Sequence, residues 1–138
     1  ALLKARESAM GFFRPVLKEH NLTEQQWRII RVLADKRSID FHELAQKTCI
    51  LRPSLTGILI RMERDELICR LKPVSDQRKL FVSLSTNGQN LYDKIQPKIE
   101  EGYQLLEQKF STEKLQHLSI LLKELIALNP ENSHSTEK

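Results

Sequence analysis

Arg78 and Lys79 are adjacent cations closing a polar loop that begins at Pro73, and Asp76 stands two residues before the arginine. A guanidinium at a loop tip suits the narrow minor groove of duplex DNA, where the negative potential is enhanced. A carboxylate is a poor choice on a DNA-facing loop unless it has a task, and orienting Arg78 through an ion pair is such a task. Upstream, Arg52, Ser54, Thr56, Gly57, Arg61 and Arg64 fall on the outer side of one expected helix. Arginine there can make paired hydrogen bonds to guanine O6 and N7, each pair worth about 1–3 kcal/mol of base discrimination. Gly57 would let the helix backbone come close to the duplex. Arg70, Lys72 and Lys79 read as phosphate contacts, which position a protein without specifying sequence. A solvated polar face would explain that helix equally well if it stood alone, so its neighbours decide.

Those neighbours form an ordered set. Asp40 can cap a short helix over about Phe41 to Thr48, with Glu43 at its third position and Ile39 placed to pack on Leu44. Leu44, Ala45 and Thr48 share one stripe. A break of about three residues, Cys49 to Leu51, precedes Pro53, which suits a first helical turn because its missing N–H costs nothing there. Leu55, Ile58, Leu59 and Met62 follow at i, i+3, i+4 and i+7, one apolar face. Two short helices joined by a tight turn make a helix-turn-helix. After Glu66 the period changes to two, so Leu67–Lys72 and Leu80–Leu84 read as strands, with Leu80, Val82 and Leu84 on one face. A helix-turn-helix followed at once by a hairpin is a winged helix, giving a mainly α fold with a small β-hairpin wing.

Helices flank this lobe on both sides. Residues 1–20 space their apolar positions as an amphipathic helix that Pro15 should bend or shorten. Thr23 with Gln26 predicts a capping box for a helix to about Lys36, burying Trp27, Ile30, Leu33 and Ala34. Ser85 can cap a long helix from Thr86 to Lys109, kinked at Pro97, with Leu91, Ile95, Ile99, Leu105 and Leu106 inward. Ser111 caps a last helix whose Leu115, Leu118, Leu121, Leu122, Leu125 and Leu128 form a stripe too rich for one small domain to cover. A second copy is the simplest cover, because two-fold homodimers are the commonest closed assembly.

Charge is distributed to match. Residues 1–82 carry sixteen Lys/Arg against ten Asp/Glu, and residues 83–138 carry six against eight. A basic front and acidic rear fit a polyanion-binding part joined to a part with another task. No stretch approaches the roughly 20 apolar residues that cross a bilayer, and no signal peptide is visible, which predicts a cytoplasmic protein with no membrane partner. Cys49 and Cys69 lie 20 residues apart without metal-ligand spacing, so free buried thiols are expected, with no metal and no cofactor.

Asp76-Gln77-Arg78 followed by Leu84-Ser85-x-x-Gly88 resembles the D-x-R…L-(T/S)-x-x-G signature of the MarR family of winged-helix repressors. Phe13-Arg14-Pro15, Leu22 to Ile29, Cys49 to Gly57 and Arg70 to Pro73 look like its branch that represses homoprotocatechuate (hydroxyphenylacetate) degradation. The resemblance covers about residues 1–128. It departs at Glu66, where the family usually has glycine; a left-handed backbone there would cost a non-glycine roughly 1 kcal/mol. The resemblance implies a homodimer placing two helices in successive major grooves of a pseudo-palindrome, and release from DNA by a small aromatic acid lying in a cleft between the lobes. Holding such an acid takes a cation and flat apolar walls. Arg14, His20, Trp27 and Arg28, near the junction of the first two helices, offer both, while His42 and His117 read as surface residues. The chain then divides into residues 1–36 for dimerisation and the ligand cleft, 37–84 for the winged helix-turn-helix, 85–128 for the linking and C-terminal dimerisation helices, and 129–138 as a disordered tail.

Other classes fit less well. There is no G-x-S-x-G, no H-E-x-x-H and no glycine-rich phosphate loop, so an enzyme is not expected. A winged helix serving only protein contacts is opposed by the cationic tip and the polar helix face. Within the DNA-binding reading, long-chain fatty acids or oxidation of Cys49 or Cys69 are the alternative release signals.

Overall fold

The structure is a computed structural model that describes residues 1–130. Residues 131–138, most of the expected tail, lie outside the described residues. The chain divides into two units, residues 1–100 and residues 101–138.

In the first unit, α1 (Leu2–Met10), α2 (Arg14–Glu19) and α3 (Glu24–Ala34) precede β1 (Ile39–Asp40), α4 (Phe41–Thr48), α5 (Arg52–Arg64), β2 (Ile68–Leu71) and β3 (Phe81–Leu84). Helix α6 (Thr86–Phe110) begins in this unit and ends in the second, which also holds α7 (Thr112–Ala127). The three strands form one antiparallel sheet in the order β1-β3-β2.

One core fills the first unit. Leu17, Trp27, Ile29, Ile30 and Leu33 from α2 and α3 join Leu44, Leu55, Leu59, Met62, Ile68, Val82 and Ile95 there. The apolar stripe expected on α5, Leu55, Ile58, Leu59 and Met62, is the buried one. On α3 the buried set includes Ile29, and Ala34 is only partly buried, because the helix ends at Ala34 and its last turn lies at the rim. Residues 1–20 are two helices, interrupted at Gly11–Phe13. Pro15 sits in the first turn of α2, where no N–H is missed, so the chain restarts a helix there. The thiols depart from expectation: Cys49 and Cys69 are both exposed. Cys49 occupies the turn between α4 and α5, and Cys69 is on the outer face of β2, opposite the buried Ile68. Leu105 likewise stays exposed on α6.

Capping explains the boundaries. Thr23 Oγ1 accepts from Gln26 N and Gln26 Oε1 accepts from Thr23 N, both at 3.0 Å, so the expected box is formed. Asp40 caps α4 by accepting from His42 N at 2.7 Å. Glu43 makes no reciprocal bond and pairs with Lys47 instead. Ser111 Oγ accepts from Lys114 N at the start of α7.

Three helices end alike, on non-glycine residues in left-handed backbone: Asn21, Cys49 and Glu66, at φ 57°, 56° and 62°. Each N–H, and the next one, reaches back into the last turn. Glu66 N donates to Glu63 O at 3.0 Å and Leu67 N to Met62 O at 2.9 Å, which satisfies two otherwise orphaned carbonyls. Left-handed backbone strains a residue with a Cβ, so Glu66→Gly is expected to raise unfolding stability by about 1 kcal/mol. Urea unfolding reads this directly, and an unchanged or lower midpoint would contradict it.

Just beyond, the chain folds back on itself. Ser85 Oγ donates to Glu66 O at 2.6 Å and accepts from Gly88 N at 3.0 Å, while Ser85 N donates to Leu67 O. A Cβ at Gly88 would lie 2.1 Å from Leu67 O, so no larger residue fits without moving backbone. The Leu84-Ser85-x-x-Gly88 pattern therefore has a mechanical basis: the serine caps α6 and the glycine admits the carbonyl.

Candidate nucleic-acid interface

Arg52, Ser54, Thr56, Arg61 and Arg64 are all exposed on α5, on the side away from the core, and Gly57 between them is partly exposed. The Arg61 guanidinium lies over Gly57, its Nη1 3.7 Å from where a Cβ would stand, so an added methyl would make an ordinary contact there. Arg52 and Arg61 make no ion pair among the described residues, whereas Arg64 Nε lies 3.5 Å from Asp65. Thr56 Oγ1 donates to the Arg52 carbonyl one turn back, at 3.1 Å.

The β2–β3 hairpin carries the wing. At its tip the Arg78 side chain is 92% exposed and is held by Asp76, whose Oδ1 accepts from Arg78 Nε at 3.1 Å and from Arg78 N at 3.0 Å. These bonds from Arg78 hold the Asp76 carboxyl below its ordinary pKa, so the pair persists at neutral pH. Gln77 Nε2 donates to Pro73 O at 2.8 Å and closes the loop from within. Lys72 and Lys79 make no ion pair among the described residues.

A notch of about 280 Å³ separates the wing from the helices, lined by Thr56 of α5, Asp40, Phe41 and His42 around the start of α4, and Lys72, Gln77, Arg78, Lys79 and Leu80 of the hairpin. Of the expected helix residues only Thr56 lines this notch, where it meets Lys72, Arg78 and Lys79 of the wing. His42 and Gln77 belong to it too. Their part in it depends on how the hairpin packs over α4, which local spacing does not encode.

Arg70 has another task. Its Nη2 donates to Glu63 Oε1 at 2.9 Å, tying β2 to α5, and its Nε is buried without a partner. The bond ties α5 to the hairpin.

The four residues expected to hold an acid are not gathered into one cavity. Arg14 lines an open cleft of about 820 Å³ with Pro15, Leu17, Lys18, Leu22 and Glu24. There its guanidinium already binds Glu24 at 2.7 Å and Glu7 at 2.8 Å, which raises its pKa and lowers those of both carboxyls. Arg6 joins the cluster through Glu24 at 2.6 Å. His20, at the end of α2, has its Nε2 3.5 Å from Lys98 Nζ, and Lys98 also pairs with Glu19. Trp27 is buried and stacks on Tyr92, with ring centroids 5.7 Å apart. Arg28 Nη1 donates to the Thr48 carbonyl at the end of α4, and its Nε is buried and unpaired. Lys18, in the cleft and without an ion pair among the described residues, escaped sequence reasoning because a lone helical lysine carries no pattern.

In the second unit α7 exposes Leu118, Ile120, Leu121, Leu122 and Leu125, and Leu128 just after its end is exposed too. No described helix is long and apolar enough to cross a membrane.

Comparison with known proteins gives concordant similarities. The sequence model of the MarR family matches residues 22–80. The chain is 62% identical over 128 residues to the homoprotocatechuate degradative operon repressor of Escherichia coli, covering 93% of this chain and 86% of that one. Among solved structures, transcriptional regulator PA4135 has a TM-score of 0.89 at 46% identity, covering 94% of this chain and 95% of that one. NadR in complex with 4-hydroxyphenylacetate has a TM-score of 0.79 at 48% identity, covering 93% and 91%.

Proposed function

This chain belongs to the MarR family, and from that premise we propose that it is a transcription repressor that binds a pseudo-palindromic DNA site as a homodimer and is released by a hydroxyphenylacetate-type acid. The observation that carries the DNA reading is the wing tip. Arg78 is almost wholly solvated yet held in one orientation by Asp76, across a notch from Thr56 and beside the unpaired Lys72 and Lys79. A guanidinium held by one carboxylate and otherwise solvated, beside two lysines without ion pairs among the described residues, is suited to an anionic partner. Arg52 and Arg61 extend the surface along α5, and Ser54, Thr56 and Gly57 face base edges between them. α7 supplies the apolar face for the second copy, and half-sites one helical turn apart follow from the two-fold axis.

The acid is inferred from NadR, which was solved with 4-hydroxyphenylacetate. For its carboxylate we keep Arg14 and Arg28 and for its ring Trp27; to be held there the acid must displace Arg14 from Glu7 and Glu24, or Arg28 from the Thr48 carbonyl. The acid must favour a dimer shape that mismatches one DNA turn, and by linkage DNA and acid weaken each other equally. The protein works in the cytoplasm, where its DNA is. The exposure of both thiols favours a second release signal, oxidation of Cys49 or Cys69.

Duplex binding titrated against salt tests the DNA reading. The logarithm of affinity is expected to fall linearly with that of salt, with a slope near −0.9 for each phosphate neutralised. A salt-indifferent association would remove it. Parallel titrations of the bound complex with 4-hydroxyphenylacetate, a long-chain fatty acid and peroxide identify the signal, the first being expected to release DNA. A crystal soaked with that acid and showing its carboxylate far from both Arg14 and Arg28 would refute the pocket.

A further inference from the structure

We propose that Thr56 reads a thymine through its methyl group, an inference that rests on the DNA-binding reading above. On a helix, threonine turns three different substituents from Cβ: a hydroxyl, a methyl and a hydrogen. Here the hydroxyl is committed, donating its proton to the Arg52 carbonyl in the preceding turn. The side chain is nevertheless exposed and lines the notch between α5 and the wing. With the hydroxyl turned back along its own helix, the outward part is apolar. The matching feature in the major groove is the C5-methyl of thymine, since the other base edges offer only donors and acceptors there.

The surroundings allow the approach. Gly57, the next residue, has no side chain, so the helix backbone can come close to the duplex there when the Arg61 guanidinium, 3.7 Å from where a Cβ would stand, reaches out to a phosphate. Arg52 and Arg61, without ion pairs among the described residues, can fix the helix on phosphates to either side. Ser54, two residues earlier and exposed, has a hydroxyl that makes no hydrogen bond among the described residues and so can both donate and accept. The two hydroxyl residues therefore divide the work: Ser54 is adaptable and Thr56 is selective.

The test begins with a duplex that the wild-type protein itself selects from a random pool. Each thymine is then replaced singly by deoxyuridine, which removes one methyl and leaves base pairing intact. The wild-type protein is expected to lose roughly fourfold in affinity per half-site at one symmetric position, the worth of one buried methyl. Thr56→Val keeps the methyl and loses the hydroxyl, and it should retain that discrimination. Thr56→Ser keeps the hydroxyl and loses the methyl, and it should bind thymine and deoxyuridine alike. Retention by the serine variant with loss by the valine variant would overturn the proposal, as would equal discrimination by all three proteins. Failure to select any duplex would instead sink the DNA-binding reading beneath it.

Discussion

Replacing Leu121 and Leu125 together by glutamate is expected to convert the protein to a monomer and to weaken operator binding at least a hundredfold. Both leucines are about half exposed on α7, alongside Leu118 and Leu122, in an apolar stripe that the described residues leave uncovered. Full burial of one leucine is worth roughly 1.5–3 kcal/mol, so a two-fold contact that covers four of them on each copy can hold a dimer. A glutamate at the centre of that contact would have to be dehydrated without a partner, a cost that exceeds the leucine contribution it replaces. Once the copies separate, each reader binds one half-site alone, and the gain of about 10²–10⁴ from linking two binding events disappears. Analytical ultracentrifugation reads the assembly state and fluorescence anisotropy the affinity. A double variant that sediments as a dimer would show that some other surface joins the copies.

The second large effect is expected at the wing. Arg78→Ala should reduce affinity for the selected duplex by about thirtyfold or more, because a specific arginine contact is worth roughly 1–3 kcal/mol and the dimer makes two. The variant is not expected to unfold, since the side chain is almost wholly solvated and, among the described residues, bonds only to Asp76. Asp76→Asn separates orientation from charge. Removing a negative charge beside DNA should strengthen non-specific binding, whereas losing the grip on Arg78 should weaken specific binding. The two shifts are therefore expected in opposite directions, and a uniform gain on all duplexes would mean that Asp76 has no orienting part. Because Arg78 lowers the Asp76 pKa, the pair is present above the ordinary carboxylate range and fails only as pH falls through that lowered value. Specific affinity should thus not decline on this account anywhere near neutral pH.

Where a residue's neighbours in sequence decide its structure, the sequence was legible. The bounds of α4 follow from Asp40 at its start and a three-residue break at its end. The buried face of α5 follows from four apolar residues at helical spacing after Pro53. The left-handed backbone at Glu66 was foreseeable because the family that the chain resembles usually has glycine at that position. Contacts between distant segments were not legible. Strand β1 is two residues long and exists only because Ile39 and Asp40 meet Val82 and Phe81 of β3. Arg70 and Arg28 look like free cations in the sequence, yet each is turned to a partner seven or twenty residues away, at Glu63 and Thr48. The effector residues suffered most: four plausible side chains near one junction point to different neighbours, since a cleft is a property of packing and not of spacing.

The knot of bonds around Leu67 bears on how any signal could travel. The end of the reading helix, the root of the wing and the first turn of α6 converge there on two adjacent carbonyls, Glu66 and Leu67, with Ser85 and Gly88 pressed against them. Tilting α6 at its base would break or stretch these bonds, so the end of α5, the root of the hairpin and the first turn of α6 are expected to move together. On the proposed release by an acid, an effector would then need only to deliver a torque to that stem, leaving the DNA-reading surface undeformed and swinging it out of step with its twin.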